Sequence, residues 1–176
     1  NEGFTCGIDI SSDEKYYIVS TSDHTSSEVR FFNVKEINIK PKLFKKRQKE
    51  IRYSIDSWNG NFFIHTNLDA EDFKICMCKH DSIQNWKDYI PATKGVLIGG
   101  FNLLNEWMIR SEVRDALSKL YVRNLNIDSE EELIITEEKV ISSGTSLMQK
   151  DRNTNKIYVA YHSPKTPGYT YIYNIS

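Results

Sequence analysis

The chain consists of short runs in which apolar and polar residues alternate, separated by polar turn residues. In the clearest example, strand-like runs at 53–58 and 61–66 flank the pair Asn59–Gly60. Both turn residues tolerate a positive φ, so this pair predicts a two-residue β-hairpin. After the polar loop 67–71, alternation resumes over 72–78, where Cys and Met stand among β-branched and aromatic residues. The pattern predicts a β-meander.

The same arrangement recurs along the chain. Its units begin near residues 5, 51, 96 and 140, a spacing of about 45 residues. Four short strands in a unit of that length are typical of β-propeller blades, whereas helical repeats would need apolar residues at i, i+3, i+4 and i+7. The helix-like window 112–120 has no continuous apolar face and is interpreted as a loop leading into a strand.

The predicted fold class is therefore all-β: a β-propeller segment of about four blades, each a four-stranded antiparallel meander. The whole chain, residues 1–176, is expected to form one partial propeller domain. The approximate blades are 1–49, 50–94, 95–138 and 139–176. The last blade is predicted without an outer strand, because the pattern ends after the run 169–175.

Composition and charge favour an ordinary globular protein. Hydrophobic residues make up 39% of the chain, and 23 basic residues against 24 acidic ones give a net charge of −1. That balance does not indicate a nucleic-acid partner. The basic cluster Lys42–Lys49 is interpreted as a solvated strand edge, where lysine discourages pairing. No apolar run approaches the roughly 20 residues that cross a bilayer, and no signal peptide is evident, so no membrane partner is expected.

The cysteines predict packing positions in a reducing compartment. There are three of them, and an odd, low number favours a cytoplasmic location. Cys76 and Cys78 are two residues apart on a predicted strand and therefore share a face. No further ligands occur at a metal-binding spacing, so neither a metal site nor a cofactor is expected.

The chain shows no catalytic motif. The nucleophile elbow G-x-S-x-G is absent, since the stretch 142–146 holds one glycine, and no phosphate-binding glycine loop occurs. His65 and His162 lie in or at the end of predicted strands and are interpreted as structural. His24 lies beside Asp23 in a polar loop, where an exposed position is the simplest interpretation. No catalytic residue is therefore expected in this chain.

Several segments, in order along the chain, are similar to one known family. The segments are Ser26–Arg30, Tyr53–Asp56, Phe62–Asn67, Phe73, Trp86 with Ile90–Pro91, and Ser163–Pro167. Together they resemble the β-propeller domain of the prolyl oligopeptidase family (peptidase S9), and within it the oligopeptidase B (protease II) branch. The resemblance covers essentially the whole chain.

This resemblance implies a two-domain serine peptidase. A seven-bladed propeller, of which this chain would be about half, would cap a catalytic α/β-hydrolase domain of the same polypeptide and admit only short peptide substrates. The catalytic Ser, Asp and His would lie outside this sequence. The loops between the second and third strands of each blade would face the catalytic domain. Asp23, His24, Asp69 and Glu71 are then expected to gate substrate or to contact that domain, while solvent-facing loop polarity is the alternative interpretation.

Two other interpretations remain open at this point. The chain would act as a stand-alone propeller-type module that binds another protein, or it would be a truncated gene product with no role of its own. A G-x-S-x-G elbow beyond residue 176 would favour the peptidase, and a stop codon there would favour the binding module.

Overall fold

The computed structural model describes residues 3–36, 38–134 and 152–175 in full, and the backbone of 144–147. These residues form strands joined by turns. The strands are β1 Thr5–Ile10, β2 Tyr16–Ser22, β3 Ser27–Asn33, β4 Lys42–Lys45, β5 Tyr53–Trp58, β6 Asn61–Thr66, β7 Lys74–Lys79, β8 Lys87–Ile90, β9 Leu97–Leu104, β10 Trp107–Arg114, β11 Leu117–Asn124, β12 Glu130–Glu132, β13 Gly144–Leu147, β14 Lys156–His162 and β15 Tyr169–Asn174.

The strands pair only with their neighbours in sequence, in antiparallel meanders. Three sheets have four strands each: β1–β4 (blade 1), β5–β8 (blade 2) and β9–β12 (blade 3). The fourth sheet, blade 4, pairs β13, β14 and β15 among the described residues. The predicted all-β meanders are confirmed. Each sheet draws its strands from one predicted blade, although the blade boundaries themselves stay a prediction. The sequence also predicts strands over 131–136 and 140–147, of which residues 135–136 and 140–143 lie outside the described residues.

Two tight turns define the hairpin ends. Asn59 and Gly60 have φ of 46° and 80°, which confirms the predicted two-residue hairpin between β5 and β6. A second such turn, Asp115–Ala116, has φ of 51° and 61° and joins β10 to β11. The window 112–120 thus contains the end of β10, this turn and the start of β11, so a loop leading into a strand is confirmed, although the loop is limited to two residues.

The chain divides into two compact units, Asn1–Ala92 and Thr93–Ser176. In the first unit, the core lies between blade 1 and blade 2. Phe31 and Phe62, one from each blade, meet edge to face with ring centroids 5.0 Å apart. The buried cluster around them consists of Ile18, Val29, Phe44, Tyr53, Ile55, Ile64, Cys76, Cys78 and Ile83.

The cysteines of β7 lie in this core, which confirms that they are packing residues. The alternation over 72–78 predicts a strand that includes Phe73. The structure instead starts β7 at Lys74 and buries residues on both of its faces, Cys76 on the side of the core cluster and Ile75 on the other. Strict alternation cannot reveal this, because a strand covered on both faces reads as a continuous apolar run.

The second unit has a separate core and a charged sheet face. Its apolar cluster joins blade 3 to blade 4 and consists of Leu104, Ile109, Leu120, Val122, Ile157, Val159 and Ile175. On β10, Arg110 is almost fully buried, and its guanidinium binds Glu112 and Glu130 and lies over the Tyr121 ring. A buried arginine with two carboxylate partners has its charge compensated, so we assign this cluster a structural role.

Candidate functional site

The candidate site is the end of the first unit where the β2–β3 and β6–β7 turns lie. We call it the rim and define it as residues 21–27, 47–52 and 66–73. Hydrogen bonds join its parts: Ser27 N donates to Ile51 O at 3.1 Å, and Asn67 Nδ2 donates to Glu50 O at 2.9 Å. The rim is thus a continuous hydrogen-bonded band across two blades, and it contains all four residues singled out in the sequence.

Asp23 closes the blade 1 rim loop on itself. Its Oδ1 accepts hydrogen bonds from Thr25 N at 2.7 Å and Ser26 N at 2.6 Å, and its Oδ2 accepts from Ser26 Oγ at 2.9 Å. The backbone N–H of Thr25, followed by the donors of Ser26, holds the pKa of Asp23 down to about 2. A carboxylate with this many local donors stays ionised, and its hydrogen bonds stabilise the turn.

Arg47 fixes the same loop from the link between the blades. Its Nη1 donates to Ser26 O at 3.1 Å and Ser26 Oγ at 2.7 Å, and its Nη2 donates to Thr21 O at 2.8 Å and Thr21 Oγ1 at 3.0 Å. Nη1 also lies 3.7 Å from Asp23 Oδ2, and the guanidinium carbon lies over the Phe4 ring, 4.7 Å from its centroid. Both terminal nitrogens of Arg47 are therefore engaged by the loop.

The other three predicted site residues are exposed. His24 lies at the tip of the blade 1 loop, while Asp69 and Glu71 lie on the blade 2 loop. Asp69 has a φ of 53°, a left-handed conformation that Asp tolerates better than most residues. The structure thus places all four residues on the rim, with Asp23 engaged in a turn and the other three directed to the solvent-exposed surface.

The blade 2 rim loop carries a stack that the sequence analysis did not anticipate. The His65 and Phe73 rings are stacked, with centroids 4.6 Å apart and an interplanar angle of 14°. The Arg52 guanidinium lies over the Phe73 ring at 4.9 Å. Phe73 itself has a φ of 66°, an uncommon value for a bulky residue. No local signal reveals this group, because 21 residues separate Arg52 from Phe73.

A serine, a histidine and an aspartate meet at the opposite end of the same two blades. His80 Nε2 lies 2.9 Å from Ser57 Oγ, and Ser57 Oγ donates to Asp13 Oδ2 at 2.9 Å. The Tyr16 hydroxyl lies 3.1 Å from His80 Nδ1. Burial lowers the pKa of His80. The imidazole ring thus lies between the hydroxyl groups of Tyr16 and Ser57, and Ser57 connects it to Asp13.

This chain of hydrogen bonds has the wrong order for nucleophilic catalysis. In a catalytic triad, histidine stands between serine and aspartate and removes the serine proton. Here Ser57 stands between His80 and Asp13, is fully buried, and its hydroxyl donates a hydrogen bond to the Asp13 carboxylate. Together with the hydrogen bond from Ser12 N to Asp56 Oδ1, at 2.7 Å, the network fastens blade 1 to blade 2. We therefore assign it a structural role.

The described residues also contain no cluster of three or more His, Cys, Asp or Glu side chains that could hold a metal ion. Burial raises the pKa of Cys76 and of Cys78 to about 11, so both thiols stay protonated. In the part of the chain that the structure describes, no helix is long and apolar enough to cross a membrane.

With this geometry in view, comparison with known proteins identifies the family. The family model for the prolyl oligopeptidase N-terminal β-propeller domain matches residues 1–176. The chain belongs to this family, and its described residues form the antiparallel sheets of a β-propeller segment. The resemblance found in the sequence is thereby confirmed.

Two curated relatives match almost the entire chain. Dipeptidyl aminopeptidase BI of Pseudoxanthomonas mexicana is 28% identical over 177 residues, which cover 99% of this chain and 24% of that protein. Protease 2 of Moraxella lacunata is 21% identical over 175 residues, which cover 99% of this chain and 25% of that protein. The chain therefore spans about a quarter of the length of these relatives.

The solved structure of oligopeptidase B from Trypanosoma brucei, in a closed form with covalently bound antipain, superposes with a TM-score of 0.89. Sequence identity is 19%, over 99% of this chain and 26% of that one, so the likeness concerns the fold. The structural relatives pair this propeller domain with a catalytic peptidase domain in the same chain.

Proposed function

We propose that this chain is the non-catalytic propeller segment of an oligopeptidase B-like serine endopeptidase. It admits short peptides to a catalytic α/β-hydrolase domain of the same polypeptide. The observation that carries the proposal is the match of the whole chain to one propeller family, whose relatives here are named as peptidases. The order Asp13–Ser57–His80 supports a non-catalytic role for the described residues.

On the rim, the exposed residues are the ones proposed to meet substrate or the catalytic domain. These are Asp69 and Glu71 on blade 2 and His24 on blade 1. Asp23 is proposed to contribute indirectly, because its hydrogen bonds hold the loop that carries His24. A flexible, exposed carboxylate can attract a cationic peptide at long range, and this attraction weakens as salt increases. We expect Asp69 and Glu71 to contribute in this way.

The test is a peptidase assay on the full-length polypeptide. Fluorogenic peptides with Lys, Arg or Pro before the scissile bond report activity, and casein reports whether a folded protein is excluded. The proposal expects cleavage of the peptides and none of casein. Absence of cleavage for every peptide would favour a stand-alone binding module.

Rim variants then separate the roles of the loops. Glu71→Gln combined with Asp69→Asn is expected to lower kcat/KM for cationic peptides about two- to fivefold at low salt, and less at high salt. Glu131→Gln, which alters an exposed carboxylate in the second unit, is the matched control. Unchanged kcat/KM in the double variant at low salt would remove the proposed role of these two carboxylates.

We also propose a cytoplasmic location. All three cysteines are free thiols, and the two buried ones lie in the core of the first unit. Free core thiols suit a reducing compartment. Fractionation of the source cells, followed by immunodetection of the protein, tests this location, and recovery in a secreted or periplasmic fraction would overturn it.

A further inference from the structure

Arg52 is held in place on the rim by its own backbone. Its N–H donates to Asn67 Oδ1 at 2.7 Å, and its carbonyl accepts from Thr66 Oγ1 at 3.0 Å and from Asn67 N at 3.3 Å. These three hydrogen bonds fix the backbone of Arg52 and therefore the position of its Cβ atom. The side chain then extends along the exposed surface of the loop to Phe73.

The Phe73 ring forms the support for the guanidinium. It is stacked on His65 and lies under Arg52, and its backbone adopts the left-handed region at φ 66°. Such a conformation is strained for a residue other than glycine and persists where the surroundings impose it. Backbone strain is often retained at functional sites, so the strained Phe73 and the arginine over its ring mark this loop as a candidate binding site.

The edge of the Arg52 guanidinium has no carboxylate partner among the described residues. Arg30, Arg47, Arg110 and Arg123 each lie at ion-pair distance from an Asp or Glu. No such pair is recorded for Arg52, although it is exposed and its loop carries Asp69 and Glu71. Stacking occupies the flat face of a guanidinium and leaves the N–H groups along its edge available.

The ligand that fits this arrangement is a carboxylate. The N–H groups of a guanidinium form a rigid fork that matches the two carboxylate oxygens, and a stacked guanidinium loses little freedom when it binds. The geometry points to Arg52, supported on Phe73 and His65, as a binding site for the α-carboxylate of an oligopeptide. This inference rests on the proposed function, since every linear oligopeptide with an unmodified C terminus carries one α-carboxylate.

The consequence is a preference for a free C terminus at the rim. A bidentate arginine–carboxylate pair at a partly exposed site favours the free acid over the amide by about tenfold, which corresponds to about 1.4 kcal/mol. Lysine in place of Arg52 keeps the charge but has no fork and no flat face for stacking, so it retains only part of that preference.

The test measures binding, so it does not depend on catalysis. The probes are hexa-alanine labelled at the N terminus with an uncharged BODIPY dye, with a free C-terminal carboxylate, and the same peptide as the C-terminal amide, which contains no carboxylate. Fluorescence anisotropy gives Kd for both probes with the full-length protein and with its Arg52→Met and Arg52→Lys variants. Arg30→Met is the matched control, because that arginine is paired with Glu28.

The expected result is an acid preference of about tenfold in the wild-type protein and in Arg30→Met. The preference is about threefold in Arg52→Lys and absent in Arg52→Met. Unchanged thermal unfolding of Arg52→Met shows that the variant is folded. Equal binding of acid and amide by the wild-type protein overturns the site, and so does a preference that survives in Arg52→Met.

Two further outcomes are distinguishable. If Arg52→Met weakens both probes equally, Arg52 contacts a part of the peptide that both probes share, such as a backbone carbonyl, and the assignment to the peptide terminus is overturned. If the acid preference depends on Arg52 while no fluorogenic peptide is cleaved, the carboxylate site stands and the proposed peptidase function fails. Cleavage without any acid preference supports the peptidase function and overturns the carboxylate site.

Discussion

Blade 1 and blade 2 carry loops at the same place on the rim, each with an arginine from the link between the blades and an aspartate at the turn. In blade 1, the guanidinium of Arg47 donates hydrogen bonds to Thr21 and Ser26 and lies at ion-pair distance from Asp23. In blade 2, Arg52 contacts an aromatic ring and has no recorded carboxylate partner among the described residues. Equivalent residue types thus serve a structural purpose in one loop and leave donors for a ligand in the other.

The two loops also keep their shape by different means. Hydrogen bonds to Asp23 and Arg47 hold residues 21–26. The blade 2 loop instead uses left-handed backbone at Asp69 and Phe73, with ring stacking on His65. Charge alone therefore does not identify a binding residue, and whether its donors and acceptors are already used is the better criterion.

The largest difference is expected from removing each arginine in turn. Arg47→Met leaves the acceptors on Thr21 and Ser26 without a donor, which we expect to lower the free energy of local unfolding by about 2 kcal/mol. Amide hydrogen exchange of the segment 21–29 in the full-length protein should then be about thirtyfold faster. Mass spectrometry of peptides that cover this segment measures the rate.

Arg52→Met is the matched control for this comparison. We expect the free energy of local unfolding to change by less than about 0.5 kcal/mol, because Arg52 has no ion pair to lose and its contact with the Phe73 ring is exposed. Exchange of the segment 66–73 should therefore rise less than about threefold. Comparable losses in the two variants would show that Arg52 stabilises its loop as Arg47 does, and the contrast between the blades would no longer hold.

A smaller effect is expected from the aspartates. Asp23→Asn keeps an oxygen that accepts from Thr25 and Ser26 but removes the charge that strengthens those bonds, so exchange at these amides should rise a few-fold. Asp69→Asn is the control, since asparagine also tolerates left-handed backbone. We expect it to leave the blade 2 loop unchanged.

The pH dependence of Asp23 follows from its lowered pKa. The pKa of Asp23 in the folded protein is about 2, against 3.8 for an ordinary Asp. The stabilisation by its charge is therefore complete above pH 3.8 and is lost as the pH falls towards 2. Urea unfolding of the wild-type protein and of Asp23→Asn should differ more at pH 6 than at pH 3, and a constant difference would contradict this assignment.

The sequence was sufficient for the strands because their signals are local. Alternation and the Asn59–Gly60 pair depend on neighbouring residues, and the predicted hairpin has the expected positive φ at both positions. It was sufficient for placing Asp23, His24, Asp69 and Glu71 on one rim, because meander topology fixes which turns lie at the same end. Their individual roles depend on contacts that alternation does not encode.

Those contacts join residues that are far apart in sequence. Arg47 reaches Asp23 across 24 positions, and Ser57 meets Asp13 across 44. Alternation predicts that Phe73 belongs to strand β7, whereas its left-handed backbone places it before the strand and turns its ring towards His65. A bulky residue at positive φ carries no signal in sequence, because its environment imposes that conformation.

Two opposing effects on stability are expected at Phe73, and they are informative about blade 2. Phe73→Gly removes the stack on His65, worth about 1 kcal/mol, and the exposed Arg52 contact, worth less than about 0.5 kcal/mol, but it also relieves a left-handed conformation that costs a residue with a Cβ about 1–2 kcal/mol. These opposing terms should leave the free energy of unfolding within about 1 kcal/mol of wild type.

Phe73→Ala separates the two terms, because alanine loses the ring and keeps the strain. We expect Phe73→Ala to be about 1 kcal/mol less stable than Phe73→Gly in urea unfolding of the full-length protein. Both variants should lose the preference for the free C terminus, since Arg52 no longer has a flat surface on which to lie. If alanine proved more stable than glycine, the strain at Phe73 would be absent in solution. If the preference survived in both variants, Arg52 would act without its ring, and the strained backbone of blade 2 would have to serve another purpose.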